Sequence, residues 1–447
     1  MLEQVLSITV GLADTIMVSS VGEAAVSGVS LVDMLNVLII NIFSALATGG
    51  AVVVAQLLGA RERKRACDAS RQLYLVVTVI SLCFAVLIML FRAPLLRLLF
   101  GSIEDDVMDS ALTYLTVSVF SYPVLAIYNA GAALFRAQGN SRVSMMIAGL
   151  INVVNLIGNS ILIYVLKWGV AGAALSSLFS RGVAVPTLVS RMVDAVLILA
   201  TTTRHDNPAR VTWGAVCRPR PAMIRNILYI GIPSALENSL FQLGRILVVS
   251  IIALFGTTQI AANAVANNLD AIAVIPGQAM SLAMITVIGQ CIGSGDADQA
   301  RFMAKKLLKI TYLINGACCL LTIAVTPLVL RIYSLSPEAL SLGMTLIFIH
   351  NGCAALIWPA SFTLPNVLRA ANDVRYPMVC SVASMMLLRL ASGYVLAVWC
   401  NLGAIGIWIA MVGDWLCRSA CFALRFRGTR WLKFAPGVQL VAQSDRR

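Results

Sequence analysis

The feature that most constrains this chain is a succession of long apolar runs with almost no charge inside them. They cover residues 2–20, 32–58, 72–91, 110–135, 143–166, 169–200, 225–254, 268–292, 307–330, 340–366, 377–399 and 402–424. A helix crossing the hydrocarbon of a bilayer needs roughly 20 apolar residues. A strand left open in lipid cannot satisfy its backbone groups. The pattern predicts an all-α integral membrane protein of about twelve transmembrane helices. Mean hydropathy is +0.88, and 59% of the 447 residues are hydrophobic against 12% charged. A soluble protein of this size cannot bury that much apolar side chain. A soluble globular enzyme is excluded, as is a disordered or fibrous chain. No cleavable signal peptide is visible, because the first residues already belong to an apolar run.

Net charge is +13. In a soluble protein that would point to nucleic acid; here the cations sit between spans, so membrane topology explains them and no nucleic-acid partner is expected. Twenty-four of the 33 Lys and Arg fall in alternate loops, among them Arg61, Arg63, Lys64 and Arg65, the pair Arg136 and Arg142, and Arg369 with Arg375. The other loops hold only Arg92, Arg97, Lys167 and Arg331, with the acidic run Glu104-Asp105-Asp106. The positive-inside rule then places both termini in the cytoplasm of a multi-pass protein of the cell membrane. The 11 Cys lack metal-ligand spacing and read as small apolar packers.

The two halves repeat at a nearly constant offset. Leu2-Glu3-Gln4 matches Leu236-Glu237-Asn238, Gly22 matches Gly256, and Gln56-x-x-Gly59 matches Gln290-x-x-Gly293, each 234 residues on. Arg136-Ala137-x-x-Asn140 matches Arg369-Ala370-x-x-Asp373 at 233, and Gly169-x-x-Gly172 matches Gly403-x-x-Gly406 at 234. Six spans per repeat give both halves the same orientation, related by a pseudo-two-fold along the membrane normal, with a cleft between. The expected organisation is a six-helix lobe over 1–200, a cytoplasmic linker over 201–224, a second six-helix lobe over 225–430 and a cytoplasmic tail over 431–447.

These residues resemble the multidrug and toxic compound extrusion (MATE) family. The resemblance rests on Ala13-Asp14-Thr15 before Gly22, Gln56-x-x-Gly59-Ala60, Leu134-Phe135-Arg136-Ala137-Gln138-Gly139-Asn140-Ser141, Gly231-Ile232-Pro233 with Glu237, Leu368-Arg369-Ala370-Ala371-Asn372-Asp373, and Gly413-Asp414-Trp415 with Arg418. It implies cation-coupled antiport, with amphipathic, often cationic drugs leaving against inward H+ or Na+. The sequence departs from the pattern in three places. Set beside its repeat, the first span is expected to lack about a dozen residues ahead of Met1, through a misassigned start or a real truncation. The acid that many relatives carry before Leu368-Arg369 is replaced by Leu356-Ile357-Trp358-Pro359. Residues 178–183 and 188–193 nearly duplicate one another, and the long run around them is expected to kink at Pro186.

Charge at bilayer depth is expensive, at least ~2.5 kcal/mol at a helix centre, and calls for a role or a partner. Glu237 lies mid-span with Asn238, Gln242 and Arg245 on the same helix; its carboxylate suits a reversible proton or Na+. Its structural alternative is pairing with Arg245, which lies about 80° round the helix. The resemblance matches Glu237 and Asp14 to family cation-binding acids. Glu3 falls on the helix face of Asp14. Asn152, Asn155 and Asn159 form one polar stripe, either interhelical glue or part of a cation site. The resemblance puts Asp where Asn159 stands, which lowers the charge there. Asp414 and Arg418 have the spacing of an intrahelical pair. His350 reads as a packed residue, and Gln278, Met280 and Met284 as lining of a drug path.

Phosphate-binding loops, a nucleotide-binding Lys and metal-type clusters are absent from the sequence, so an ion gradient supplies the energy, with no cofactor and no enzymatic step. The expected function is secondary active efflux of amphipathic, cationic drugs or toxic compounds by a monomer. The alternative is a lipid-linked glycan flippase, which would need several cavity-lining cations for pyrophosphate. The arginines at membrane depth, Arg181, Arg191, Arg245, Arg389 and Arg418, are scattered over four spans.

Overall fold

The computed structural model describes residues 23–100, 105–160, 219–330 and 336–435, and every regular element among them is helical. The helices are α1 (Glu23–Gly59), α2 (Arg63–Phe100), α3 (Asp105–Ala137), α4 (Ser141–Ser160), α5 (Pro221–Ala253), α6 (Thr257–Ala273), α7 (Ile275–Gly293) and α8 (Ala297–Leu330). They continue with α9 (Pro337–Ala370), α10 (Arg375–Trp399) and α11 (Gly403–Arg427). Nine of the described helices are long and apolar enough to cross a membrane. Their outward side chains are apolar: Leu98 is 83% exposed, Leu313 75% and Leu356 74%. Such a surface is stable only against lipid. The runs at 2–20 and 169–200, with Pro186 and the near-duplication, lie outside the described residues.

One expected span is redrawn. The run at 268–292 is the second part of a longer broken helix, with α6 beginning at Thr257 and α7 following after Val274 (φ −93°, ψ −1°). Hydropathy hides the first part because Gln259, Asn263 and Asn267 are polar. Two of those side chains serve a neighbour on α11: Gln259 Oε1 accepts from the Ala404 amide at 2.6 Å, and Asn263 Oδ1 accepts from the Trp408 indole at 3.0 Å. The break comes where Pro276 cannot supply an amide to the helical ladder.

Contacts divide the chain into two compact units. One joins residues 55–62 to those from Leu236 onward; the other joins the described residues up to Val54 to those between Arg63 and Ala235. Within the latter, α1 meets α5 through glycines: a Cβ on Gly49 would stand 2.7 Å from the Gly231 nitrogen. Small residues here let two membrane helices approach to backbone distance.

The internal repeat is written into the turns. After α1, the Glu62 amide donates to Leu57 O and the Arg61 amide to Leu58 O. After α7, the Asp296 amide donates to Cys291 O and the Gly295 amide to Ile292 O. These are the same helix-ending motif, closed by a left-handed residue, Arg61 (φ 60°) or Gly295 (φ 81°). The turns after α3 and α9 repeat the agreement, with left-handed Gly139 (φ 79°) and Asn372 (φ 65°).

Candidate functional site

Glu237 sits on α5 one turn after Pro233, only 5% exposed. Its partner comes from α9: Arg369 Nη2 donates to Glu237 Oε2 at 2.6 Å. The same guanidinium donates through Nη1 to Asn366 Oδ1 at 2.7 Å. The expected alternative partner, Arg245, is exposed on another face of α5, as the 80° separation dictates. The Arg369 turn is itself fixed, because Gln56 Nε2 donates to Ala370 O at 2.8 Å and to Asn372 Oδ1 at 3.0 Å. The Gln-x-x-Gly motif of the first half therefore holds the loop that carries the partner of Glu237.

A second pair lies deeper. Asp414 on α11 is fully buried; its Oδ1 accepts from Ser384 Oγ at 2.6 Å, and its Oδ2 forms an ion pair with Arg389 Nη2 at 3.0 Å. Arg389 belongs to a π-helical turn of α10, Met385–Ala391, a distortion that often accompanies function. The expected pairing of Asp414 with Arg418 is corrected: Arg418 stacks its guanidinium 4.5 Å over Phe362 and 5.4 Å over Phe241. Arg389 covers the same Phe241 ring at 4.9 Å. Helix-to-helix contact, rather than spacing along α11, chooses the partners.

Asn238 is exposed and Gln242 half-buried, both on α5. Gln278 is exposed on α7 and Met280 half-buried, but Met284 is fully buried in the core with Ile288, Leu364 and Phe422, so it cannot line a path. Asn152, Asn155 and Asn159 lie on α4, their side chains outside the described set; Asp14 and Glu3 lie outside the described residues altogether. Among the described residues no group of three His, Cys, Asp or Glu could hold a metal ion.

Sequence reasoning missed Asp270, which is 4% exposed on α6 and accepts from Asn351 Nδ2 at 2.6 Å. His350, read as a packed residue, has its Nδ1 3.3 Å from Asp270 Oδ1. The available signal was a lone acid among small and apolar residues, obscured by the span boundary drawn at residue 268.

Comparison with known proteins agrees with this architecture. The chain is 26% identical over 427 residues to the uncharacterized transporter YisQ of Bacillus subtilis, covering 95% of this chain and 91% of that protein. It is 25% identical over 440 residues to the probable multidrug resistance protein NorM of Thermotoga maritima, covering 97% and 91%. A crystal structure of MATE in the bent conformation superposes with a TM-score of 0.86 at 18% identity, over 97% of this chain and 93% of that one. The MatE family model matches residues 1–161 and 233–395. With most of the chain matched in both halves, the protein belongs to the MatE family, the multidrug and toxic compound extrusion transporters.

Proposed function

We propose that the protein exports amphipathic, cationic drugs or toxic compounds across the cell membrane in exchange for inward H+ or Na+, with both termini in the cytoplasm and a single chain as the working unit. The observation that carries this reading is Glu237, a buried membrane-depth carboxylate bound to a cation that belongs to the protein. An inbound proton or Na+ competes with Arg369 for that carboxylate. Ion binding frees the guanidinium, and with it the turn that Gln56 holds. Coupling then requires only that ion and drug prefer opposite conformations. Asp14 and Glu3, with Asn155 and Asn159, are proposed to supply a counterpart in the first half. Asn152, Asn238, Gln242, Arg245 and Gln278 are proposed to face the transported molecule.

The names of several relatives support drug efflux. The flippase alternative is weakened because Arg389 and Arg418 are only 5% and 3% exposed, engaged by Asp414 and by aromatic rings, and so not offered to a pyrophosphate. Ethidium efflux from cells, with Na+ and pH varied separately, tests the reading. A rate that follows either ion supports it, and a rate indifferent to both contradicts it.

A further inference from the structure

Asp270 and His350 lie within one compact unit, walled by apolar side chains. His350 is 7% exposed and edge-on to two indoles, with ring centroids 5.7 Å from Trp408 and 4.9 Å from Trp415. Asn351 is fully buried and holds Asp270 Oδ1 through its Nδ2. Cys319 on α8 faces the carboxylate, and Asn315 Nδ2 donates to its Sγ at 3.7 Å. On α6 itself, Asn267 turns its Nδ2 back to Asn263. Thus α8 presents a thiol to Asp270 and α9 an imidazole and an amide, while α11 sets two indoles against His350.

The hydrogen-bond tally of this cluster does not close. Among the described residues, Asp270 Oδ2, Asn351 Oδ1, Asn315 Oδ1 and His350 Nδ1 are buried without an aligned partner, and of the residues in contact with His350 the unpartnered donor is Trp415 Nε1. Buried polar atoms are almost always satisfied. A cluster with surplus lone pairs and too few protons is a receptor for a positive charge. One of the atoms facing Asp270 is a ring nitrogen, a proton carrier that Na+, an oxygen-seeking ion, does not favour.

The geometry points to Asp270 and His350 as a proton-binding site in the second half of the chain. This deepens the proposed function by naming the coupling ion, and it rests on that reading. The arriving proton bonds to the Nδ1 lone pair, and the new N–H donates to Asp270 Oδ1. The 3.3 Å contact between α9 and α6 becomes a charge-assisted hydrogen bond. The site lies one turn before the helix break, where the Val274 amide donates to Asp270 O at 3.2 Å. Proton occupancy therefore acts at a hinge between α6 and α7. The repeat does not duplicate the device. At the equivalent position, 234 residues earlier, stands the amide Asn36, whose Oδ1 accepts from Tyr122 Oη at 2.8 Å and whose Nδ2 donates to Asp33.

Infrared difference spectra of the purified full chain, titrated with acid, read the imidazole directly. The wild type should show an imidazole protonation signal that H350Q removes and whose pH midpoint D270N shifts. Thermal melts establish that each variant is folded, and H350Q carries the test should D270N unfold. A difference spectrum unchanged in H350Q, or a midpoint unmoved in D270N, overturns the site. A wild-type signal that appears on adding Na+ at fixed pH, and not on adding acid, overturns it as well. Ethidium transport in proteoliposomes is read separately: with no gradient-driven transport by the wild type the exporter reading fails, and the titration still decides the site.

Discussion

Gly59 and Gly293 interlock across the repeat: a Cβ built on Gly59 would collide with the carbonyl of Gln290, and one on Gly293 with the carbonyl of Gln56. Each glycine ends its own Gln-x-x-Gly motif, so the two motifs meet backbone to backbone and neither glycine has room for a methyl group. Replacing either by Ala forces the chains apart, at a cost of about 1–3 kcal/mol. Melting curves of G59A and G293A should both shift down, and the double variant should lose less than the sum, because one contact is broken twice. Gly316→Ala, inside α8, meets nothing within 4 Å and is the control: its melting curve should hold or rise, because Ala suits a helix interior better than Gly.

Asp414 and Arg389 form a buried ion pair. Removing one member of a buried ion pair costs roughly 3–5 kcal/mol, because the other is left unpaired. D414N should therefore be strongly destabilising. A double-mutant cycle should give a large coupling between Asp414 and Arg389 and a smaller one between Asp414 and Arg418. Equal couplings would restore the intrahelical pair that spacing alone suggests.

Arg418 is held by aromatic rings rather than by a carboxylate. Its guanidinium lies over Phe362 and Phe241, an arrangement that a compact ammonium reproduces poorly. R418K should be destabilised by about 1 kcal/mol despite keeping the charge, in line with a partly desolvated cation–π contact. F362L should erase most of the difference between Arg and Lys at this position, as read by chemical or thermal unfolding.

Much of this architecture is legible in the sequence, for identifiable reasons. Apolar runs announce helices because lipid permits little else, and the Gln-x-x-Gly and Arg-Ala repeats announce themselves because the same left-handed turn must be built twice. Asp270 stayed hidden because Gln259, Asn263 and Asn267 dilute the hydropathy of α6. Their partners on α11 and within α6 are known only once the helices are assembled. The partners of Glu237 and Asp414 were hidden for a related reason. Periodicity finds neighbours on one helix, whereas Arg369 and Arg389 arrive from others, the latter through a π-turn that no simple period anticipates.

Glu237 carries the most direct test. E237Q keeps the size of the side chain and its ability to accept from Arg369, and removes the titratable charge. Drug-dependent ion flux should be measured in proteoliposomes at fixed pH with variable Na+, and at fixed Na+ with variable pH, for the wild type and E237Q side by side. The wild type should move ions in exchange for ethidium, and E237Q should fold, bind the dye and lose the exchange. Wild-type exchange rates in E237Q would contradict the assignment of Glu237 as a coupling residue.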